Sequence, residues 1–257
     1  MPKFAANLSF LWPELPPLER FAAAARAGFR QVEYLFPQEL DAGELEAALR
    51  ANDLELVLFD TWPGDWDAGE RGYLSLPGKE GVLRRTVEEA LELARRFRTL
   101  RLNILGGILT PDLNPKRAFD TAVANLIQLA PLAEESGVSL LLENLNPTDV
   151  PNYAFPTVDS AAKVVEALGH YAAGLQLDQY HISMTGGDPI AVFRQHQQLV
   201  RHVQISDAPG RHQPGTGSAP IREFLQELDR CNYDLYVGLE YRPLGSTEES
   251  LTWMGSL

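Results

Sequence analysis

The stretch from residue 137 to residue 178 reads GVSLLLENLNPTDVPNYAFPTVDSAAKVVEALGHYAAGLQLD and contains two short apolar runs on either side of a helical segment. The runs predict strands at Val138–Leu145 and Ala173–Asp178, because short apolar runs bounded by turn residues are typical of buried strands. The segment between them predicts a helix over Thr157–Gly169, since threonine suits a helix start and glycine a helix end. This order indicates two parallel strands joined by a crossover helix.

The same alternation runs through the whole chain. Further strands are predicted at Phe4–Phe10, Gln31–Phe36, Leu54–Phe59, Leu100–Leu105, His202–Ser206 and Leu235–Tyr241. Further helices are predicted at Pro17–Gly28, Glu80–Arg98, Pro115–Gly137 and Pro220–Asn232, with a short last helix at Thr247–Met254. Eight strands in 257 residues predict an α/β fold, a (β/α)8 TIM barrel, as a single domain over residues 1–257. An open doubly wound sheet is the alternative, but the G-x-G-x-x-G signature expected after its first strand is missing.

Composition and charge narrow the classes of partner. The chain has 22 Lys and Arg against 35 Asp and Glu, which gives a formal net charge of -13. That charge opposes binding to nucleic acid, which depends on basic groups that displace counterions, unless a bound metal supplies positive charge. The single cysteine, Cys231, excludes an internal disulfide and fits a reducing compartment. Because no apolar run reaches about 18 residues, we expect a cytoplasmic protein that does not bind membranes.

Four polar side chains stand at the ends of consecutive predicted strands. Glu143 ends LLLE, Asp178 ends LQLD, Gln204 lies in HVQIS and Glu240 follows VGL. Barrel enzymes build their sites at the carboxyl ends of the strands, so we expect these oxygen donors to meet at one mouth. Buried acids repel one another, and a divalent cation would keep them ionised. Ligation by oxygen alone favours Mg²⁺ or Mn²⁺ over zinc; the alternative is that each acid caps a helix or pairs with an arginine.

Two of these acids are candidates for proton transfer. The predicted strands that carry Glu143 and Glu240 are separated by two others, so their ends can face each other across the mouth. One carboxylate can remove a proton from carbon while the other returns one, with the metal stabilising the oxygen charge that develops. We therefore predict that these two glutamates are the catalytic pair.

The histidines differ in their predicted roles. His181 lies three residues beyond Asp178, in the predicted loop over the mouth, where contact with substrate is favoured. His202 begins the seventh predicted strand and is expected to be structural. His170 and His196 fall in helical or connecting segments, where we expect them at the surface.

Two loops supply candidate groups for an anionic substrate. The loop GRHQPGTG after the seventh predicted strand contains Arg211, whose planar guanidinium matches a carboxylate; an ordinary turn is the alternative. The segment Asp60–Lys79 is the longest irregular one in the chain, and loops of this length are usually functional. It carries Arg71, the second candidate partner for a substrate carboxylate.

The chain resembles a known family over nearly its whole length. The residues that carry the resemblance are KFAANLSFLW, VEYLFP, GDWDAGERGYLSLPG, LLLENLNP, LQLDQYH, HVQI and GLEYRPLGSTEESL. They look like the hydroxypyruvate isomerase family, within the xylose isomerase-like barrels that also include ketose 3-epimerases and endonuclease IV. The GDWDAGERG–LPG loop and the closing GLEY-R-P-TEE stretch are the most specific of them.

The resemblance implies a metal held by Glu143, Asp178, Gln204 and Glu240, with the two glutamates as the acid/base pair. It implies an aldose–ketose isomerase that interconverts hydroxypyruvate and tartronate semialdehyde, with 2-oxo-tetronate isomerisation as a close competitor. Gln204 stands where related 3-epimerases usually carry histidine, and five scattered histidines do not readily supply the multi-metal cluster of endonuclease IV-like members. A ketose 3-epimerase, such a hydrolase and a non-catalytic sugar-acid binding protein remain as alternatives.

The loop after the seventh predicted strand departs from the family pattern. It reads GRHQPGTGSAPI where family members tend to have RHEPGTGE, so Gln213 and Ser218 replace acids. The departure leaves the implied metal ligands intact. It leaves open which small keto or hydroxy acid is the substrate. A homo-oligomer is a fair expectation for a soluble enzyme.

Overall fold

The computed structural model describes residues 2–256 and contains eight strands in a closed barrel. The strands are β1 (Lys3–Asn7), β2 (Gln31–Glu33), β3 (Glu55–Asp60), β4 (Arg101–Asn103), β5 (Ser139–Glu143), β6 (Ala173–Asp178), β7 (Val200–Ile205) and β8 (Tyr236–Leu239). The helices are α1 (Pro17–Arg26), α2 (Ala42–Ala51), α3 (Glu80–Phe97), α4 (Pro115–Glu135), α5 (Val158–Leu168), α6 (Gln179–Met184), α7 (Pro189–His196), α8 (Ile221–Arg230) and α9 (Thr247–Ser250). Barrel order follows chain order from β1 to β8, so the predicted (β/α)8 fold is confirmed.

Each of the eight predicted strands overlaps an observed one, although β1, β2 and β4 are shorter than predicted; α2, α6 and α7 were not predicted. Asp41 caps the start of helix α2, and its side chain accepts hydrogen bonds from two backbone N–H groups of the first turn. Helix α6 begins directly at the end of β6, where the Asp178 side chain accepts from the backbone N–H of Tyr180 at 2.7 Å. His181 therefore lies in a helix and not in a loop, because the strand passes into α6 without a connecting turn.

The ends of two predicted helices show the expected capping. Thr157 and Ser160 form a reciprocal capping box at the start of α5, and Gly169 ends that helix with a left-handed φ of 61°. Gly137, which was predicted to stop α4, has a φ of 68° and follows the helix end by two residues. Glycine adopts this conformation without the steric cost that other residues meet.

The chain forms two compact units, and the first comprises residues 2–57, 178–197 and 202–256. In it β1 pairs with β2, which places Asn7 opposite Glu33, and with β8, which places Ala5 opposite Gly238. Strand β7 pairs with β8 and places Gln204 opposite Gly238. The pairing brings polar side chains of β1, β2 and β7 to neighbouring positions around a glycine.

The second unit comprises residues 58–177 and 198–201. Strand β4 lies between β3 and β5, with Asn103 opposite Asp60 on one side and Leu141 on the other. Strand β5 also pairs with β6, which places Glu143 opposite Gln176. Helix α4 packs against both α3 and α5. Their buried faces are mostly apolar, as expected for helices that cover a parallel sheet, with Thr86 and Asn125 as buried polar residues.

The long segment between β3 and α3 has no helix or extended strand, as predicted. Glu70 holds it together, because its Oε2 accepts hydrogen bonds from the Asp65 backbone N–H and the Tyr73 hydroxyl, both at 2.8 Å. Gly64 has a φ of 95°, and a Cβ there would lie 2.1 Å from the Tyr73 hydroxyl oxygen. The segment therefore has a defined conformation fixed by its own side chains.

Two of the predictions about histidines were wrong. His196 is buried at the end of α7 and is not at the surface. His202 does not begin β7, because that strand starts two residues earlier and His202 lies inside it, fully buried. His170 is partly exposed, with Nε2 3.3 Å from Glu134 Oε2. Among residues 2–256, no helix is both long and apolar enough to span a membrane.

Candidate active site

Two buried acids of the first unit share one guanidinium. Asp178 ends β6 and Glu240 follows β8, and they are 1% and 4% exposed. Arg211 Nη2 lies 3.0 Å from Glu240 Oε1 and 3.6 Å from Asp178 Oδ2. The structure therefore brings together two of the predicted metal ligands and one predicted substrate-binding residue.

The acids titrate far from their ordinary range. Burial raises the pKa of Glu240 to about 8 and the pKa of Asp178 to about 6. Arg211 lowers both pKa values, whereas the negative charge of Glu33 raises both. An acid with a pKa near neutrality suits proton transfer, and a cation bound beside it would favour its ionised form.

Glu33, which was not predicted as a site residue, is the centre of a hydrogen-bond network. Its carboxylate is 1% exposed, with Oε1 2.6 Å from His202 Nε2. Its Oε2 accepts from Gln204 Nε2 at 2.9 Å and from Asn7 Nδ2 at 3.1 Å. A signal was present in the sequence, because Glu33 ends β2 after an apolar residue as Glu143 ends β5.

His181 lies on the first turn of α6 beside one of the acids. Its Nε2 is 3.4 Å from Asp178 Oδ2, and its ring meets that of Tyr180 edge-on. Burial lowers the pKa of His181 well below its ordinary value, and the charge of Arg211 lowers it further. The imidazole is therefore neutral at physiological pH and can donate or accept a hydrogen bond.

The loop that carries Arg211 is held by a buried carboxylate that was not predicted. Asp207, 2% exposed, accepts hydrogen bonds from the backbone N–H groups of Ala208, Gly215, Thr216, Gly217 and Ala219. The backbone oxygen of Asp207 also accepts from the backbone N–H of Arg211 at 2.8 Å. The Arg211 guanidinium lies 5.0 Å from the ring centres of both Phe10 and Tyr180. The loop thus presents Arg211 in a defined position.

In the second unit, Glu143 ends β5 and is 5% exposed. It accepts a hydrogen bond from Asn103 Nδ2 at 2.7 Å. Nearby, the Tyr153 hydroxyl accepts from the backbone N–H of Gly106 at 2.8 Å. Burial raises the pKa of Tyr153, and the negative charge of Glu143 contributes to that increase. Asn103 was not predicted, although it ends β4 as Glu143 ends β5.

Arg71, the second arginine proposed for the substrate, is engaged with its own loop. Its Nη1 donates to the carbonyl oxygens of Trp66 at 2.9 Å and of Glu70 at 2.7 Å. Its guanidinium carbon lies 3.5 Å from the centre of the Trp66 ring. These contacts give Arg71 a structural role in shaping the segment, and its contact with substrate stays a prediction.

The donor set fits a divalent cation. Within the first unit, Asp178 and His181 each offer one buried ligand atom to a cation. Glu240 Oε2 is buried and has no hydrogen-bond donor within the described part of the chain. A buried carboxylate oxygen without a donor is costly, and a cation would satisfy it. Carboxylate and amide oxygens suit Mg²⁺ or Mn²⁺, and an imidazole nitrogen is compatible with Mn²⁺.

Comparisons with known proteins agree with this fold. Residues 21–257 match the family model of the xylose isomerase-like TIM barrel. The chain is 39% identical to the 2-oxo-tetronate isomerase of Cupriavidus necator, covering 99% of this chain and 98% of that protein. It is 35% identical to the hydroxypyruvate isomerase of Escherichia coli K12, covering 99% and 98%. The crystal structure of a protein named AP endonuclease, family 2, from Brucella melitensis matches with a TM-score of 0.96 at 36% identity, covering 100% and 99%.

These matches establish the family and the class of activity. The family model spans most of the chain, and the two curated relatives above align along their full lengths and are isomerases. The chain is therefore an isomerase, and it belongs to the family of xylose isomerase-like TIM barrels.

Proposed function

We propose that the protein is an aldose–ketose isomerase that depends on a divalent metal and acts on a short 2-oxo-3-hydroxy acid. The first candidate reaction interconverts hydroxypyruvate and tartronate semialdehyde. The reaction moves a carbonyl from C2 to C3: a proton leaves C3, the substrate passes through an enediolate, a proton is added at C2, and the hydroxyl proton passes from O3 to O2. It needs a base and an acid that act on neighbouring carbons, and no external oxidant or reductant.

The observation that carries the proposal is a group of buried acids in the first unit, two of which face Arg211. Asp178, Glu240 and Glu33 place three carboxyl groups in the first unit, all at most 4% exposed. Their mutual influence is visible in the pKa values of Asp178 and Glu240, both of which Glu33 raises. Acids are gathered in this way where cation binding or proton transfer uses them, because in a purely structural role their burial costs free energy.

Glu143, Asp178, Gln204 and Glu240 would hold the metal, and His181 is a further potential ligand. When bound, a divalent cation polarises the substrate carbonyl and stabilises negative charge on oxygen as a Lewis acid. In the ionised state the acids supply oxygen ligands of the kind that Mg²⁺ and Mn²⁺ prefer. The metal set is supported by residue type and burial.

Glu143 and Glu240 are proposed to move the protons. Burial raises the pKa of Glu240 to about 8 in the metal-free site, and a cation bound beside it lowers that pKa, so that Glu240 is ionised and able to accept a proton near neutral pH. Glu143 is held at one oxygen by the Asn103 amide, which fixes the direction of its carboxylate. One glutamate removes the proton from C3, and the other returns a proton to C2.

Arg211 and His181 are proposed to bind the substrate. A guanidinium has several N–H donors, so one that faces Asp178 and Glu240 can still receive a substrate carboxylate. The neutral His181 imidazole can hydrogen-bond to a substrate hydroxyl or carbonyl without adding charge. Arg71 stays a second candidate, because its guanidinium is already bound to carbonyl oxygens of its own loop.

Isomerisation of 2-oxo-tetronate is the second candidate reaction. The relative from Cupriavidus necator that bears this name is 39% identical to the chain, against 35% for the relative named hydroxypyruvate isomerase. The two reactions share the transfer of the carbonyl from C2 to C3 and differ by a hydroxymethyl group on C3. The same acid/base pair therefore serves both, and the space beside C3 decides between them.

A deuterium-exchange experiment in D₂O tests the proposal. The chelator-treated protein is incubated with hydroxypyruvate, 2-oxo-tetronate or a neutral ketose, with and without Mg²⁺ or Mn²⁺. We expect metal-dependent deuterium at the reacting carbons of a keto acid, together with the isomeric product. Exchange in ketoses alone would indicate a 3-epimerase, and binding without any exchange would indicate a sugar-acid binding protein.

Cleavage of nucleic acid is the remaining alternative, since the related protein from Brucella melitensis is named an AP endonuclease. A net charge of -13 opposes binding to a phosphate backbone, so we propose that the partners are small keto or hydroxy acids. Nicking of a duplex with a single abasic site would contradict this. We expect no nicking under conditions that support deuterium exchange into a keto acid.

A further inference from the structure

The network around Glu33 holds a charge that the proposed proton transfers do not use. Burying a carboxylate is costly unless donors surround it, and Glu33 receives them from side chains of two other strands. His202 faces Oε1, while Gln204 and Asn7 donate to Oε2. Each donor side chain thereby has its position fixed by the same carboxylate.

The contact between Glu33 and Gln204 determines which end of the amide faces the carboxylate. An ionised carboxylate only accepts hydrogen bonds, so the amide of Gln204 must present its nitrogen to Glu33. The Nε2 to Oε2 distance is 2.9 Å. The other amide atom, Oε1, is then the one directed away from Glu33, and it is the only amide atom that can act as a ligand for a hard cation.

The surroundings keep this carboxylate in one position. On β8, Gly238 leaves the space that the carboxylate fills, because a Cβ there would lie 2.1 Å from Glu33 Oε1. Asn7 is itself fixed, since its Oδ1 accepts from the backbone N–H of Ser9 at 3.1 Å. The ring of His202 faces the carboxylate through Nε2 at 2.6 Å, which requires that nitrogen to carry the proton. The acceptor that orients Gln204 is therefore rigid.

We propose that Glu33 is a positioning residue, which holds the Gln204 amide so that Oε1 is offered to the divalent cation. The inference rests on the proposed function, because it takes Gln204 as a metal ligand. Without the carboxylate, the amide is able to rotate and to place its N–H₂ group, which repels a cation, on the metal side. Partners that orient metal ligands typically affect metal affinity by about 10- to 100-fold when they are replaced.

Binding of Mn²⁺ to the full chain tests this inference without measuring turnover. Free Mn²⁺ is followed by electron paramagnetic resonance during titration of the wild type, Glu33→Met and Glu33→Gln. Methionine keeps the length of the side chain but removes the acceptor for the Gln204 amide, and we expect Kd to rise about tenfold or more. Glutamine keeps one acceptor oxygen, which can face the donors of Gln204 and Asn7 while its NH₂ group faces His202, and we expect it to retain most of the affinity.

The control is Glu227→Gln, which removes another buried carboxylate of the same unit, one paired with Arg194 and Arg230. We expect it to leave the Kd for Mn²⁺ unchanged. Should Glu33→Met fail to fold, Glu33→Asp carries the test, since it keeps the charge but withdraws the acceptor by one methylene. An unchanged Kd in Glu33→Met, or a loss in Glu33→Gln as large as in Glu33→Met, would overturn the role of Glu33. If the wild type itself does not bind Mn²⁺, the proposed metal dependence fails instead.

Discussion

Replacing Asp207 by asparagine tests whether one buried carboxylate holds the loop that carries Arg211. The carboxylate accepts two backbone N–H groups at Oδ1, from Ala208 and Ala219, both at 3.0 Å. It accepts three more at Oδ2, at 2.8 to 3.0 Å. Asparagine has the same shape but only one acceptor oxygen, so its NH₂ group must face donors on one side.

The expected loss of stability is calculated for the orientation of the asparagine amide that leaves fewer N–H groups without an acceptor. The asparagine oxygen is expected to face the three donors, which leaves the N–H groups of Ala208 and Ala219 without an acceptor. A hydrogen bond to a charged group contributes about 1.5 kcal/mol or more, so two lost bonds lower the free energy of unfolding by about 3 kcal/mol. The remaining three bonds also weaken, because the acceptor is now neutral.

Urea unfolding of the wild type and the variant measures this difference. Asp188→Asn is the matched control, since Asp188 caps α7 through one bond to the Ile190 N–H at 2.9 Å, and we expect a loss of about 1 kcal/mol or less. A loss for Asp207→Asn no larger than that of the control would refute the reasoning. We also expect a higher KM for keto acids in the Asp207 variant, because Arg211 is carried by the loosened loop.

Three further predictions concern the acids and Arg211. Glu143→Gln and Glu240→Gln should each abolish isomerisation, because each loses a group that transfers a proton at one of the two carbons; near-normal turnover in either would contradict the two-carboxylate mechanism. Arg211→Lys should raise KM for keto acids about tenfold or more and change KM for neutral ketoses little, since the bidentate contact with a carboxylate is lost. An equal effect on both substrates would show that Arg211 does not bind the substrate carboxylate. Burial raises the pKa of Glu240 to about 8 and of Asp178 to about 6, so the folded state of the metal-free protein binds these protons more tightly than the unfolded state. The unfolding midpoint measured with chelator should therefore fall as pH rises from about 4.5 to about 8, and a rise over that range would show that burial does not control the two acids.

Local sequence patterns predicted most of the fold because each strand is a short apolar run with its own boundaries. Helix α6 was missed for a physical reason, since Asp178 both ends β6 and caps the helix that follows. No turn residues separate the two elements, and the pattern therefore reads as a strand followed by a loop. The missed helix changed the environment assigned to His181, which is on a rigid turn beside Asp178.

The site was predicted in part by the same local rule. Polar residues that end apolar runs identified Asp178 and Glu240, and the structure brings both to one guanidinium. Glu33 was not identified, because its importance depends on partners far along the chain, with His202 lying 169 residues away. Asp207 was not predicted either, because its partners are backbone N–H groups, which leave no pattern of side chains in the sequence. The pairing of Glu33 with His202 is set by the closure of the barrel and not by any one segment.

The close approach of Gly238 to Glu33 limits which substitutions these two positions can accept. A side chain at position 238 would collide with the carboxylate, as a Cβ there would lie 2.1 Å from Oε1. Relatives that carry alanine or a larger residue at position 238 should therefore carry a shorter residue at position 33, and the two columns of an alignment should covary. Efforts to graft another active site onto this scaffold would have to exchange both positions in one step.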